Sequence, residues 1–291
     1  MSHTIYVNDD SRKKLQSYYE IYLKSFNVQF EREYVETRYG KTHILVTGPK
    51  EGKPLFIFQG GNCINPMTLS WFSDLLSEYR VYSPDTIGHP GYSSETRISA
   101  KDNSFALWIL DLMDHFQIEK AAFAGPSYGG GIILRLATYF PERIACSILY
   151  APAGILLGSK IEMIRKILIP LLSLKMTGNK KYMKKIADAM SDYCMKDMDA
   201  DIIMEIFRST KLEQEMPKLT TASELNKYSA PTMIIGGKKD IFFPGERMIE
   251  TAKKIIPNIT ASHFYDMGHF ASEEMLKKIN RDMISFIKTY Y

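Results

Sequence analysis

The chain has 291 residues, 45% of them hydrophobic and 24% charged, with a formal net charge of +4. That length holds one large α/β domain or two small ones, and the composition is that of an ordinary globular protein rather than a disordered or fibrous one. So mild a charge makes no demand for nucleic acid, and no nucleic-acid-binding motif accompanies it.

The opening residues show no basic stretch followed by an apolar one, so no signal peptide is expected. No charge-free apolar run reaches the length of a membrane span. Residues 11 to 26 place Leu15, Tyr18, Tyr19, Tyr22 and Phe26 at helical spacing, which predicts an amphipathic helix on the outside of the core. Residues 30 to 39 and 42 to 47 alternate as strands around Tyr39-Gly40-Lys41-Thr42, a hairpin signal. Residues 54 to 58 form a continuous apolar run, the pattern of a strand buried on both faces, followed by Gln59-Gly60-Gly61-Asn62. A helix is predicted over 67 to 79, a short strand over 80 to 84, and a helix over 102 to 117 started by Asp102 or Asn103.

Residues 121 to 124 read as another buried strand. Then come Gly125-Pro126-Ser127-Tyr128-Gly129, a G-x-S-x-G pattern, and a helix predicted over 132 to 139. Strand, tight turn with serine, and helix is the setting in which that pattern becomes a nucleophile elbow. Glycines two before and two after the serine allow the close approach the turn requires, and Pro126 biases Gly125 toward extended backbone. Residues 144 to 150 are a further strand. Alternating strands and helices predict an α/β fold with a doubly wound, mostly parallel sheet, whose strand-end loops converge on one edge.

The alternation stops after residue 153. Residues 154 to 228 hold no convincing strand and read as several helices, an inserted helical cap. Strands at 231 to 235 and 260 to 265 and helices at 245 to 256 and 272 to 289 resume the sheet domain. The predicted organisation is a core of residues 1–153 and 229–291, with 1–29 as an N-terminal helical extension, interrupted by the cap.

A serine hydroxyl is a weak nucleophile that needs a base within reach and an acid to orient that base. Asp240 follows one late strand and His269 follows the last, giving the chain order Ser, Asp, His. The loop after 144–150 holds no carboxylate, and Asp266, three residues from His269, is assigned to the turn. Tyr128, just past the nucleophile, offers one backbone N–H to a developing oxyanion. The Gln59-Gly60-Gly61-Asn62 loop offers another, from Gly61 ahead of Asn62.

These motifs, together with Asp85-x-x-Gly88-His89-x-Gly91-x-Ser93, Gly237-x-x-Asp240 and Gly268-His269, resemble the α/β-hydrolase family in its cap-bearing branch of carboxylesterases and prolyl iminopeptidase-like enzymes. The resemblance runs from about residue 30 onward. It implies a catalytic triad of Ser127, Asp240 and His269, an oxyanion hole of Gly61 and Tyr128, and neither metal nor cofactor. It also implies that the Asp85 to Ser93 segment lines the site entrance as structure rather than chemistry. Gln59 stands where the family usually has histidine, and a serine nucleophile argues against the dehalogenases and epoxide hydrolases of the family.

The expected activity is hydrolysis of a carboxylic ester of a small, partly apolar molecule. Aminopeptidase or amidase action and carbon–carbon bond hydrolysis share the same triad, and a ligand receptor on a hydrolase scaffold is an alternative of another class. Met163, Met176, Met183 and Met190 suit an adaptable apolar pocket wall in the cap. The apolar stretch 155 to 174 is expected to cover the site as a helix pair, in preference to touching a membrane. The odd, scattered cysteines Cys63, Cys146 and Cys194 form no zinc or disulfide pattern and point to a reducing, cytoplasmic setting.

Overall fold

The computed structural model describes residues 4–291. Helix α1 (Asp9–Leu23) leads into strands β1 (Glu31–Thr37) and β2 (Gly40–Thr47), then β3 (Pro54–Ile57), a short α2 (Asn65–Leu69), β4 (Arg80–Pro84), α3 (Ser104–His115), β5 (Ala121–Pro126), α4 (Tyr128–Tyr139) and β6 (Ile144–Tyr150). Helices α5 (Lys160–Met163), α6 (Ile169–Thr177), α7 (Lys181–Ser191) and α8 (Asp197–Ser209) follow. The chain closes with β7 (Thr232–Gly237), α9 (Gly245–Ile255), β8 (Ile259–Tyr265) and α10 (Glu273–Tyr290).

The eight strands form one sheet in the order β1-β2-β4-β3-β5-β6-β7-β8. Only the β1–β2 and β2–β4 pairs are antiparallel. From β4 to β8 every pair is parallel, as connections through helices require. All residues of β5 and β7 are buried, so helices cover both faces of the centre, and the doubly wound expectation holds. The edge strand β8 instead alternates between partly covered and exposed positions. Because β3, β5, β7 and β8 all run the same way, the loops carrying residues 59–62, 127, 240 and 269 leave the sheet at one edge.

Several boundaries differ from the sequence reading, each for a local reason. The α4 helix begins at Tyr128 rather than 132, because Gly129, Gly130 and Gly131 are helical despite their poor propensity. A Cβ on Gly129 would lie 2.6 Å from the Phe58 carbonyl oxygen, and one on Gly130 2.7 Å from the Pro152 Cβ. Bare backbone is what lets this turn of helix seat against neighbouring loops. The helix expected over 67–79 is shorter and earlier. Pro66 starts α2 near Asn65, and Phe72, at φ −118° and ψ 23°, breaks the 3₁₀ turn that follows. Helix α1 starts at Asp9 because the Asn8 side chain accepts the Ser11 N–H at 2.8 Å.

Helix α1 does more than lie on the core. Tyr19 donates to Asp85 at 2.8 Å in the sheet domain, and Tyr22 donates to Asp199 of α8 at 2.9 Å. Residues 5 to 7 continue the tie, with a bridge from Tyr6 to Thr210 and a Val7 N–H bond of 2.9 Å to the Ser209 carbonyl. The stretch 155–174 forms α5 and α6 joined by a π turn over Ile164–Leu168, which widens the helix just before Pro170, a residue that has no N–H to give. Along it Ile161, Leu168 and Leu172 face outward. Among the described residues no helix is long and apolar enough to cross a membrane.

Candidate active site

Ser127 sits between β5 and α4 with φ 51° and ψ −117°, a left-handed conformation that costs a non-glycine residue about 1–3 kcal/mol. The turn is held around it. The Ser127 N–H donates to the Tyr150 carbonyl at 2.9 Å, and its own carbonyl accepts from Gly131 (3.1 Å) and Ala153 (2.9 Å). A Cβ on Gly125 would fall 2.8 Å from the backbone of Gly129, so the close crossing that the sequence pattern implies is present.

Asp240 lies past the end of β7 and His269 past the end of β8. The loops carrying them are laced by backbone bonds from Lys238 to Tyr265 and from Lys239 to Met267, both 2.9 Å. Both side chains are buried. Asp240 Oδ1 accepts the N–H groups of Phe242 (2.8 Å) and Phe243 (3.0 Å), and Oδ2 is 2.8 Å from His269 Nδ1. A carboxylate so filled can only accept, which puts the ring proton of His269 on Nδ1 and leaves Nε2 basic. Trp71, Phe242 and Phe270 approach the imidazole edge-on, at centroid distances of 6.3, 4.9 and 5.9 Å. Asp266 is exposed and ion-pairs with Lys239 at 3.3 Å, consistent with a part in the turn.

Ser127 and His269 line one cavity of about 240 Å³. Gly61, Asn62 and Tyr128 line it too. The loop of residues 60–62 is braced at each end. Gly60 N–H donates to Thr68 Oγ1 (3.1 Å) and Asn62 N–H to His89 Nδ1 (3.3 Å). Gly61 N–H, between them, finds no acceptor among the described residues. The Gln59 amide spans the base of the loop, donating to the Cys63 carbonyl and accepting from Thr86 N–H, each at 3.0 Å. Glutamine thus ties two backbone segments at once where the family's histidine is missing. Burial lowers the His89 pKa from 6.5 to about 3, so its ring is neutral and Nδ1 is free to accept.

The segment Asp85 to Ser93 does not line the cavity, contrary to what the resemblance implied. It is buried behind it. Asp85 bonds His43 Nδ1 (3.0 Å), the Tyr19 hydroxyl (2.8 Å) and the Tyr92 N–H (2.7 Å), and a Cβ on Gly91 would meet its Oδ2 at 2.5 Å. This second His–Asp pair has no access to the cavity and serves as core.

Residues 154–228 supply Ile167, Met190, Ile203 and Phe207 to the cavity wall, with Glu213 and Met216 from the irregular return after α8. Of the four cap methionines singled out in the sequence only Met190 lines it, whereas Met176 is 86% exposed. Asn62 had no more than a secondary reading in the sequence, yet it clamps that return. Its Oδ1 accepts the Glu213 N–H at 2.7 Å and its Nδ2 donates to the Glu213 carbonyl at 3.1 Å. Glu213 is the one carboxylate in the wall. Its oxygens are taken by Arg97 (3.2 Å) and the Glu215 N–H (2.7 Å). No Lys or Arg lines the cavity. Among the described residues no three His, Cys, Asp or Glu side chains gather as a metal site.

Residues 53–182 match the family model described as the alpha/beta hydrolase fold. The carboxylesterase YbfK of Bacillus subtilis (strain 168) is 27% identical over 281 residues, 93% of each chain. The crystal structure of that esterase, CesB (YbfK), superposes with a TM-score of 0.80 at 24% identity, covering 96% of this chain and 98% of the other. The naproxen esterase (carboxylesterase NP) of Bacillus subtilis superposes with a TM-score of 0.82 at 22% identity, covering 96% and 98%.

Proposed function

We propose that this chain, which belongs to the α/β hydrolases, is an enzyme that hydrolyses carboxylic esters of small, partly apolar molecules with Ser127 as nucleophile. The observation that carries the reading is the Asp240–His269 pair, 2.8 Å apart, opening on the same cavity as the serine held at φ 51°.

In this mechanism His269 Nε2 takes the Ser127 hydroxyl proton as Oγ adds to the ester carbonyl carbon. The carbonyl electron pair moves to oxygen, where the N–H groups of Gly61 and Tyr128 receive it. Each such donor lowers the barrier by roughly 3–4 kcal/mol by mutational measure. Asp240 keeps the imidazolium oriented and stabilised. Collapse of the intermediate breaks the ester C–O bond, and His269 gives its proton to the departing alcohol. Water, deprotonated by the same nitrogen, then attacks the acyl-serine, releasing the acid and restoring the serine. The aromatic surround of His269 lowers the local dielectric, which strengthens these charge interactions.

Residues 154–228 act as the cap of a core made of 1–153 and 229–291, and their apolar side chains select the acyl or alcohol body. Two features weigh against the other triad chemistries. A free substrate amine would need an unengaged carboxylate, and Glu213 is already committed to Arg97 and Glu215. A dienoate carboxylate would need a cation in the wall, where Lys and Arg are missing. The test is Ser127→Ala on a panel of p-nitrophenyl esters of increasing chain length. A loss of at least about a thousandfold with binding retained is expected. Full activity in the variant would refute the assignment.

A further inference from the structure

Seven of the sixteen exposed large apolar side chains among the described residues lie within residues 157–176. Ile161 is 78% exposed, and Ile164, Leu168 and Leu172 are 46–51% exposed. Their spacing of three to four residues, continued by Met176, sets them on one outward stripe along α5, the π turn and α6. Pro170, Leu171 and Leu174 face the other way, into the protein. An apolar stripe this long on a folded surface marks something that covers it.

Charge says what covers it. Residues 160 to 185 contain eight Lys and Arg and one carboxylate, Glu162, a net of +7 in a chain of +4, so the remainder sums to −3. Only Lys166 and Lys184 are engaged, with Glu162 and Asp188 at 3.1 Å, and the other six have no ion-pair partner among the described residues. A second copy of this chain would set one such basic hairpin against another. A nucleic acid would answer the lysines and leave the isoleucines and leucines in water. An anionic lipid surface answers both, because the acyl boundary takes the stripe and the head groups take the lysines.

We infer that the α5–α6 helix and its basic flank dock on an anionic lipid surface. The sequence reading preferred a helix pair covering the site to a membrane contact for the stretch 155–174. The structure turns one face of it outward. Ile167, on another side of the same helix, lines the cavity with Ser127, so docking sets the bilayer against a wall of the candidate site. Docking itself does not depend on Ser127. Delivery of a lipid-dissolved ester to the cavity does, and rests on the proposed hydrolysis.

The test is co-sedimentation of the whole chain with vesicles of phosphatidylcholine, with and without phosphatidylglycerol. The protein should pellet with the anionic vesicles, stay in solution with the neutral ones, and be released by salt. The variant I161S/L168S/L172S should bind at least tenfold more weakly with an unchanged melting temperature. Should that variant unfold, K175Q/K180Q decides, with about a fivefold loss expected for each lysine removed. Three results would overturn the inference: no binding to anionic vesicles, equal binding by the variants, or a dimer that the triple variant dissociates while wild type ignores vesicles.

Discussion

Replacing Asp240 by Asn isolates the role of its charge with almost no change of shape. The carboxylate now fills three hydrogen bonds, two from the Phe242 and Phe243 N–H groups to Oδ1 and one between Oδ2 and His269 Nδ1. Asparagine has one oxygen, and the two backbone donors claim it, because an NH₂ turned toward them would meet donors with donors. The NH₂ then faces Nδ1, which becomes an acceptor, and the imidazole proton moves to Nε2. A ring protonated there cannot take the serine proton. The expected loss is about 10⁴ in kcat, about 5.5 kcal/mol of barrier, with KM changed little because the cavity wall is untouched. Stability should shift by no more than about 1 kcal/mol, since every hydrogen bond keeps a partner. Steady-state hydrolysis of p-nitrophenyl butyrate, run beside a thermal melt, reads both quantities. An Asn variant that melts normally and keeps kcat within tenfold of wild type would show that the Asp240 charge does not set the state of His269.

Three further outcomes follow from the surroundings of the site. The folded protein holds His89 neutral, with its pKa lowered by burial from 6.5 to about 3, so the unfolded chain takes up this proton first. Its contribution to stability is present above about 6.5 and is lost as pH falls toward 3. A His89→Gln variant should show a flatter decline of melting temperature over that window, and an identical slope would contradict the assignment. Asn62→Ala removes both bonds to the Glu213 backbone, each worth about 1 kcal/mol. Because those bonds hold the loop carrying Gly61, kcat/KM should fall by more than the loss of stability accounts for, as parallel kinetics and melts would reveal. Gly129→Ala places a methyl 2.6 Å from the Phe58 carbonyl oxygen and should cost about 1–3 kcal/mol, seen as a lowered denaturant midpoint.

The sheet was legible because its central strands are short apolar runs. Residues 54–58, 121–124, 144–150 and 231–235 need no tertiary knowledge to be read as strands buried on both faces. The strand-end loops then brought 59–62, 127, 240 and 269 to one edge, since parallel strands leave no other place for them. What the sequence hid is non-local. The Asn62–Glu213 clamp joins residues 151 apart in the chain, and no periodicity announces it. The start of α4 was obscured because glycine propensity speaks against helix, while packing against Phe58 and Pro152 demands glycine. Gln59 looked like a missing histidine until its amide was seen bridging Cys63 and Thr86. Which face of residues 155–174 turns outward was hidden for a related reason. A stretch apolar on nearly every side does not say which side will meet the core, and the π turn before Pro170 shifts that register within the helix.

The proposed hydrolysis stands on Ser127 being a nucleophile activated by His269. Reaction of the intact protein with a fluorophosphonate probe, followed by peptide mapping, tests it most directly. A single adduct is expected, on Ser127, formed in step with the loss of ester hydrolysis and abolished in a folded His269→Gln variant. An active protein that forms no adduct, or one inactivated by an adduct on another residue, would contradict it.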